Sequence, residues 1–143
     1  MTFIKHKLGA DLQPVETGHV IVHNETLGLY ESVNAPGFDQ RMNDADTDAA
    51  VAKLNADSYL GITTWRRPEP WESLTQVKYV DEDVMADRDF YPDMQGAYYW
   101  TGQTVPWSTS FVFAVYFDGG SVYDLTRYYR AFCRPVASVP ARQ

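Results

Sequence analysis

The residues from Ser110 to Phe117 alternate between two sets of side chains without interruption. Every second residue from Phe111 onwards is phenylalanine or valine, and this period of two is typical of a β-strand. The Asp118-Gly119-Gly120 sequence that follows predicts a tight hairpin turn, because glycine readily adopts the positive φ of such turns. An aromatic run over Ala97–Thr101 precedes this strand, so the last third of the chain should form an antiparallel sheet.

The chain upstream of this sheet predicts a hairpin and two helices. Short apolar runs within residues 18–31 flank a turn and predict the hairpin. Asn43 and the acids after it are favourable N-caps for a first helix. Pro70 suits the first turn of a second helix that extends to about Lys78. An irregular acidic segment over residues 79–96 follows this helix.

The order of hairpin, helices, long loop and antiparallel strands defines the α+β class. We expect a short return strand over Ser121–Tyr123 and a final strand between Arg127 and Val136. A chain of 143 residues is one domain of ordinary size. We expect an N-terminal arm over residues 1–17, the domain over residues 18–136 and a C-terminal tail over residues 137–143.

The segment from Thr64 to Leu74 combines two tryptophans, two adjacent arginines and two prolines. Indoles bury large apolar areas, and prolines fix the backbone that enters a helix. The segment therefore predicts a folding anchor. On the second helix, Trp71 and Leu74 should lie along one side and pack inward.

The formal net charge of -7 argues against direct nucleic-acid binding, because phosphate recognition requires clustered lysine and arginine. Cys133 is the single cysteine, which excludes an intramolecular disulfide and a thiolate metal cluster. The first ten residues lack the apolar core of a signal peptide, and no apolar run is long enough to cross a membrane. We expect a cytoplasmic protein, or one that belongs to a virion or surface assembly, without membrane binding.

Two patterns partly match metal sites. Asp44 opens a D-x-D-x-D series of the kind that begins a calcium loop. That loop also requires a glycine at its sixth position and an acid at its twelfth, where this chain has Ala49 and Asn55. His19 and His23 would share one face of a strand, but no third ligand lies near them in the sequence. We therefore expect no bound metal.

The sequence contains no nucleophile elbow, phosphate-binding loop or zinc-binding helix motif. The three histidines all lie within the first strand region, away from any motif serine. We therefore expect no enzyme activity and no cofactor.

Five short motifs occur in a recognisable order along the chain. They are Thr26-Leu27-Gly28-Leu29-Tyr30, Trp65-Arg66-Arg67-Pro68 with Glu72-Ser73-Leu74, Tyr99-Trp100-Thr101-Gly102, Trp107 with Phe117-Asp118-Gly119, and Arg134-Pro135-Val136. Together they resemble the C-terminal domain of a bacterial collagen-like adhesin, a family related to the C-type lectin-like fold. The resemblance covers residues 18–136, and it departs from the family at Arg67, Gly102 and Pro135.

The resemblance implies a single C-type lectin-like domain with an N-terminal hairpin, two short helices and a twisted antiparallel sheet with long loops. It implies structural roles for Trp65, Arg66, Pro68, Trp71, Leu74, Trp100, Phe117 and Gly119. Arg66 should pair with a carboxylate or cap backbone carbonyls near the tryptophans, whereas Arg67 occupies a place where the family has leucine and is a candidate contact. Glu69-Pro70-Trp71 matches only part of a calcium-dependent sugar-binding motif, so such binding is not expected.

Two binding functions fit the sequence. The first is a non-enzymatic recognition module that binds a protein or glycan partner through its long loops. Its candidate contacts are Trp107, Tyr123, Arg127 and Arg67, since tyrosine, tryptophan and arginine dominate interface hot spots. Core packing is the alternative role for these aromatic residues.

The second function is a free-standing phage or mobile-element inhibitor. Such a protein would block a nucleic-acid-binding defence protein by contact with an acidic surface. The candidate residues for this surface are Asp81, Glu82, Asp83, Asp87 and Asp89.

Overall fold

The computed structural model describes residues 3–80 and 83–140. The strands are β1 Lys5–Leu8, β2 Ile21–Asn24, β3 Leu29–Ser32, β4 Tyr98–Thr104, β5 Phe111–Tyr116, β6 Ser121–Thr126 and β7 Val136–Ser138. The helices are α1 Asp44–Ala56 and α2 Pro70–Leu74, with a 3-10 turn at Tyr59–Gly61. The strands form two antiparallel sheets, one in the order β1-β2-β3-β7 and one in the order β4-β5-β6. This is the α+β arrangement that the sequence predicts.

Both ends of the chain contribute to the four-stranded sheet. β1 is an edge strand that pairs with β2, where His6 lies opposite His23. β7 pairs with β3, where Val136 lies opposite Glu31. The expected arm and tail therefore both contain strand residues. The short β1 sequence shows no clear period because only one of its four side chains is buried.

The three-stranded sheet carries buried side chains on both of its faces. Trp100 lies opposite Ala114 in the ladder, and both belong to the larger hydrophobic cluster. Tyr99 and Val115, the neighbouring pair, belong to the smaller cluster together with the fully buried Phe117. The alternation in β5 thus divides its side chains between two cores, with the sheet lying between them.

The hairpin turn after β5 is formed by the two glycines that the sequence singles out. The backbone N–H groups of Gly119 and Gly120 both donate to the carbonyl of Tyr116. Gly120 has a φ of +75°, which only glycine adopts without strain. The turn leads into β6, which is longer than expected and includes the polar segment 124–126. Its Asp124 side chain is exposed, so the sheet accommodates it.

The prediction of a strand beginning at Arg127 is wrong. A turn follows the end of β6, and the backbone N–H of Tyr129 donates to the carbonyl of Thr126. Ala131 and Phe132 then make isolated bridges, and regular pairing resumes only with β7. Within the described residues, no helix is long and apolar enough to cross a membrane.

The first helix begins as the N-cap pattern predicts. The Asn43 side chain accepts a hydrogen bond from the backbone N–H of Asp46 at 2.9 Å. The Thr47 hydroxyl donates to the Asn43 carbonyl at 2.7 Å. Asp44 and Asp46 lie in the first turn, where the helix dipole favours negative charge. The buried side of α1 comprises Thr47, Val51 and Leu54.

The second helix ends at Leu74, about one turn before the expected limit at Lys78. Beyond its end, the backbone N–H of Val77 donates to the carbonyl of Leu74, three residues back. Val77 then forms a bridge with Ala86. The chain therefore leaves the helix because its backbone groups find partners in the following loop.

The prediction that Trp71 and Leu74 pack inward is also wrong. Trp71 is 56% exposed and Leu74 is 37% exposed. The buried residues of α2 are Glu72 and Ser73. The helix presents a polar side to the interior because Glu72 pairs there with an arginine.

Candidate functional site

Trp65 lies in the larger core and links the segment before α2 to α1. Its indole Nε1 donates to the carbonyl of Tyr59 at 3.1 Å. The Asn55 side chain accepts from the Trp65 backbone N–H at 2.7 Å and donates to its carbonyl at 2.9 Å. These contacts make Trp65 part of the scaffold.

Arg66 and Glu72 form a bidentate ion pair. Nη1 and Nη2 of Arg66 lie 2.7 and 2.9 Å from the two carboxylate oxygens of Glu72. The same carboxylate accepts the backbone N–H of Glu69 at 2.7 Å and so caps α2. Burial would raise the pKa of Glu72, but the hydrogen bonds from Arg66 and Glu69 outweigh it and lower the pKa. The neighbouring Pro68 is buried, so this part of the motif is structural.

Two candidate contact residues, Arg67 and Arg127, are bound to Asp44. Nη1 of Arg67 lies 2.7 Å from one carboxylate oxygen, and Nη1 of Arg127 lies 2.8 Å from the other. Burial would raise the pKa of Asp44, but the hydrogen bonds from the two arginines outweigh it and lower the pKa. The Arg67 side chain is only 7% exposed. Arg67 is therefore a buried link between α1 and the sheet, not an exposed contact.

We call residues 79–96 the acidic loop. Asp81 and Glu82 lie outside the described residues. The described part of the loop packs against the domain, because Tyr91 and Met94 are fully buried in the smaller core. The Asp83 side chain is exposed. This loop is therefore a structural part of the fold as well as an acidic one.

Three acids of the loop have cationic partners. The ion pairs are Asp87 with Lys78 at 3.8 Å, Asp89 with Lys7 at 2.8 Å and Asp93 with Arg134 at 2.8 Å. The Arg134 side chain is 3% exposed and also donates to the carbonyl of Ser32 at 2.8 Å. The described acids therefore form a less negative surface than their sequence suggests.

A buried carboxylate joins the acidic loop to the four-stranded sheet. Glu31 on β3 is fully buried and accepts hydrogen bonds from the Tyr91 hydroxyl at 2.6 Å and from Gln76 Nε2 at 3.0 Å. Burial raises the pKa of Glu31, and the two hydrogen bonds and the nearby Lys5 only partly oppose this. Burial and the neighbouring Glu31 raise the pKa of Tyr91 as well. These residues hold the loop in place.

Trp107 and Tyr123 are both exposed, but they lie on opposite faces of the three-stranded sheet. Trp107 packs edge-on against Phe113 with ring centroids 6.0 Å apart. Phe113 lies opposite Asp124 in the ladder, whereas Tyr123 lies opposite Ala114. Adjacent residues of a strand point to opposite faces. One compact ligand therefore cannot contact both predicted residues.

Tyr123 instead belongs to a cluster of four rings. We call Tyr98, Tyr116, Tyr123 and Tyr129 the tyrosine surface. Tyr98 stacks on Tyr116 with centroids 4.3 Å apart, and it meets Tyr123 and Tyr129 edge-on at 5.6 and 5.7 Å. Tyr123 and Tyr129 are each 45% exposed. The cluster lies on the sheet face that also carries Trp100 and Ala114, at the edge of the larger core.

Sequence reasoning identified Tyr123 and missed the other three tyrosines. Tyr98 and Tyr116 meet because they are paired in the β4–β5 ladder. That register depends on the pairing of strands and leaves no local signal. Tyr129 joins them because the chain turns after β6. The sequence shows a run of aromatic residues, but it does not show which of them lie outside the core.

Two arginines lie beside the tyrosine surface. A recess of about 150 Å³ is lined by Arg41, Gly96, Ala97, Tyr98, Tyr116, Tyr129 and Arg130. Both arginines are exposed. The guanidinium of Arg41 lies 5.3 Å from the centre of the Phe132 ring, which helps to position it. The recess thus combines aromatic surface with positive charge.

The histidines and the cysteine lie apart from this surface. His19 Nε2 is 2.7 Å from the carbonyl of Phe90, and the ring of His23 contacts those of His6 and Tyr30. Burial raises the pKa of the Cys133 thiol to about 12. In the described ranges, no group of three or more histidine, cysteine, aspartate or glutamate side chains could hold a metal ion.

A family model described as the Lcl C-terminal domain matches residues 20–137. The match runs from just before β2 into β7, so it includes the three-stranded sheet and the four-stranded sheet without β1. Searches of curated proteins and of solved structures give no significant match. A domain family associated with a collagen-like adhesin favours a binding role. The chain belongs to the Lcl C-terminal domain family.

Proposed function

We propose that this protein is a non-enzymatic recognition module that binds a protein or glycan partner through the tyrosine surface. The observation that carries the proposal is the exposure of a four-ring cluster beside two arginines. Tyrosine and arginine are enriched at interface hot spots, and tyrosine buries a large contact area at a small conformational cost. The ring contacts hold the tyrosines in place before a partner arrives, which reduces the entropy lost on binding.

Among the described residues, Cys133 and His19 lie in separate surroundings. The Cys133 thiol is buried and its pKa is about 12, so little of it is thiolate near neutral pH. His19 lies in the loop before β2 and not in the sheet of the tyrosine surface, and its Nε2 lies within hydrogen-bond distance of the carbonyl of Phe90. These arrangements support a binding role rather than an enzymatic one.

We further propose that the fold is of the C-type lectin-like type. Strands from near both ends of the described chain meet in one sheet beside a second antiparallel sheet, which supports this proposal. An experimental structure superposed on C-type lectin domains tests it. A strand order that cannot be aligned with theirs would refute it.

The binding proposal is tested with the immobilised domain and two probes, a random peptide display library and a carbohydrate array. We expect ligands from at least one probe to be retained. Tyr123→Ala should weaken retention about tenfold or more, because truncation at a hot spot typically costs about 2 kcal/mol or more. Circular dichroism and thermal unfolding should show that the variant remains folded.

Trp107→Ala is the matched control, since Trp107 is 74% exposed on the opposite face of the same sheet. We expect it to leave retention unchanged. Loss of retention in Trp107→Ala but not in Tyr123→Ala would move the site to the other face and refute the proposal. A wild-type domain that retains nothing from either probe would also refute it.

The acidic-surface inhibitor remains the alternative function. It draws on the exposed Asp83 and on the net charge of the chain. Asp87, Asp89 and Asp93 are paired with cations, which reduces the negative charge available to a partner. The acidic surface is therefore less well supported as a binding site than the tyrosine surface.

A further inference from the structure

The recess beside the tyrosine surface brings together two arginines that have no carboxylate partner. Within residues 3–80 and 83–140, the arginines that make no ion pair are Arg41, Arg88 and Arg130. Arg41 and Arg130 line the same recess, whereas Arg88 lies in a different groove, beside Lys7 and His19. On a chain with a net charge of -7, two unpaired cations at one recess form a local exception to the overall charge.

We infer that the tyrosine surface binds an acidic segment of a protein partner, with one carboxylate in the recess between Arg41 and Arg130. This inference rests on the proposed function and names the chemistry of the ligand. An arginine guanidinium binds a carboxylate through charge-assisted hydrogen bonds, often two at once. The recess of about 150 Å³ can admit the side chain of one aspartate or glutamate.

The shape of the cluster favours a protein segment over a sugar. Tyr98 has one ring face against Tyr116, and it lies nearly perpendicular to Tyr123 and Tyr129, at interplanar angles of 87° and 86°. The surface is therefore ridged. A sugar ring stacks best on a flat and open aromatic face, whereas peptide side chains fit between ridges. The apolar part of the segment would pack on the rings while its carboxylate reaches the arginines.

The positive charge is local, which gives the interaction a distinctive salt dependence. The whole chain repels an acidic ligand at long range, and the two arginines attract it at short range. In the wild type, the short-range attraction should dominate, so added salt weakens binding. Without the arginines, only the overall repulsion remains, and added salt should no longer weaken binding.

The test selects peptides from a random display library on the wild-type domain and measures their affinity by titration. We expect the selected peptides to be enriched in aspartate and glutamate beside apolar residues. The double variant Arg41→Gln/Arg130→Gln should bind them about tenfold or more weakly and lose the salt effect. Arg41→Lys/Arg130→Lys, which keeps both charges, should retain part of the affinity. Arg88→Gln is the matched control and should bind as the wild type does.

The outcomes separate this inference from the proposed function. Selected peptides without acidic enrichment, or full affinity in the double glutamine variant, would overturn the inference while Tyr123 could still be required for binding. Retention on a carbohydrate array with no selected peptide would likewise overturn it and leave a glycan-binding module. Loss of binding in Arg88→Gln equal to that in the double variant would show an unspecific effect of charge and also overturn it.

Discussion

The acidic loop and the tyrosine surface reverse what their sequences suggest. The acidic loop is rich in charge, yet it carries the buried Tyr91 and Met94 and pairs three of its acids with cations. The tyrosine surface is rich in aromatic residues typical of a core, yet two of its rings are nearly half exposed. Charge in a sequence therefore does not locate a charged surface, and aromatic content does not locate the core.

The two regions also differ in what holds their side chains. In the acidic loop, buried groups depend on one another, as Arg134 does on Asp93. In the tyrosine surface, the rings contact each other while leaving area free. Substitutions of the buried groups in the first region should therefore change stability, and substitutions in the second should change binding.

The largest effect on stability is expected from Arg134→Met. This change leaves the carboxylate of Asp93 without its partner, and breaking a buried ion pair typically costs about 3–5 kcal/mol. Urea unfolding followed by circular dichroism measures the loss. Arg88→Met, at an exposed arginine without an ion pair, is the control and should change the unfolding free energy by about 0.5 kcal/mol or less. Equal losses in the two variants would remove the distinction between the regions.

A pH-dependent effect is expected from Glu31→Gln. Burial raises the pKa of Glu31 in the folded protein above its ordinary value of 4.5. The raised pKa stabilises the folded protein fully below pH 4.5, the ordinary pKa of the carboxyl group. This stabilisation is lost as the pH rises through the pKa of Glu31 in the folded protein. The variant, which cannot ionise, should therefore gain stability relative to the wild type as the pH rises from about 4.5 to 7. The gain is about 1.4 kcal/mol for each unit of pKa difference within that range.

Unfolding by urea at several pH values checks this prediction. Glu16→Gln, at an exposed glutamate, should show a smaller pH dependence relative to the wild type. A difference between Glu31→Gln and the wild type that stays constant from pH 4.5 to 7 would contradict the buried-carboxylate interpretation.

Local patterns in the sequence predicted several elements of this fold correctly. The alternation before Asp118 placed β5, and the N-cap candidates within residues 43–47 placed the start of α1. These features depend on neighbouring residues, so a single sequence contains them. The length of α2 was wrong because the chain beyond Leu74 pairs with the following loop. Its inward side was wrong because it is set by the ion pair of Glu72 with Arg66, which no apolar period reveals.

The candidate site was harder to predict because it depends on contacts between distant residues. Asp93 meets Arg134 across 41 positions of sequence, and Arg127 meets Asp44 across 83. Such pairs decide which charges are already bound within the protein. The pairing of Tyr98 with Tyr116 likewise follows from the strand register. Composition could suggest aromatic and acidic contacts, but only the fold decides which of them are free.

The smallest effect on stability is expected from Asp87→Asn/Asp89→Asn, which also separates the two proposed functions. The ion pairs of these acids involve the largely exposed Asp89 and a long 3.8 Å contact of Asp87, so the unfolding free energy should not change measurably. The substitution changes the net charge from -7 to -5.

An acidic peptide selected on the tyrosine surface should then bind the double variant equally well, or slightly better at low salt because the overall repulsion is smaller. A partner held by the acidic surface should instead bind more weakly and with less sensitivity to salt. Titration of the selected peptide at low and high salt distinguishes these results, and a tenfold loss of affinity would favour the acidic loop as the site.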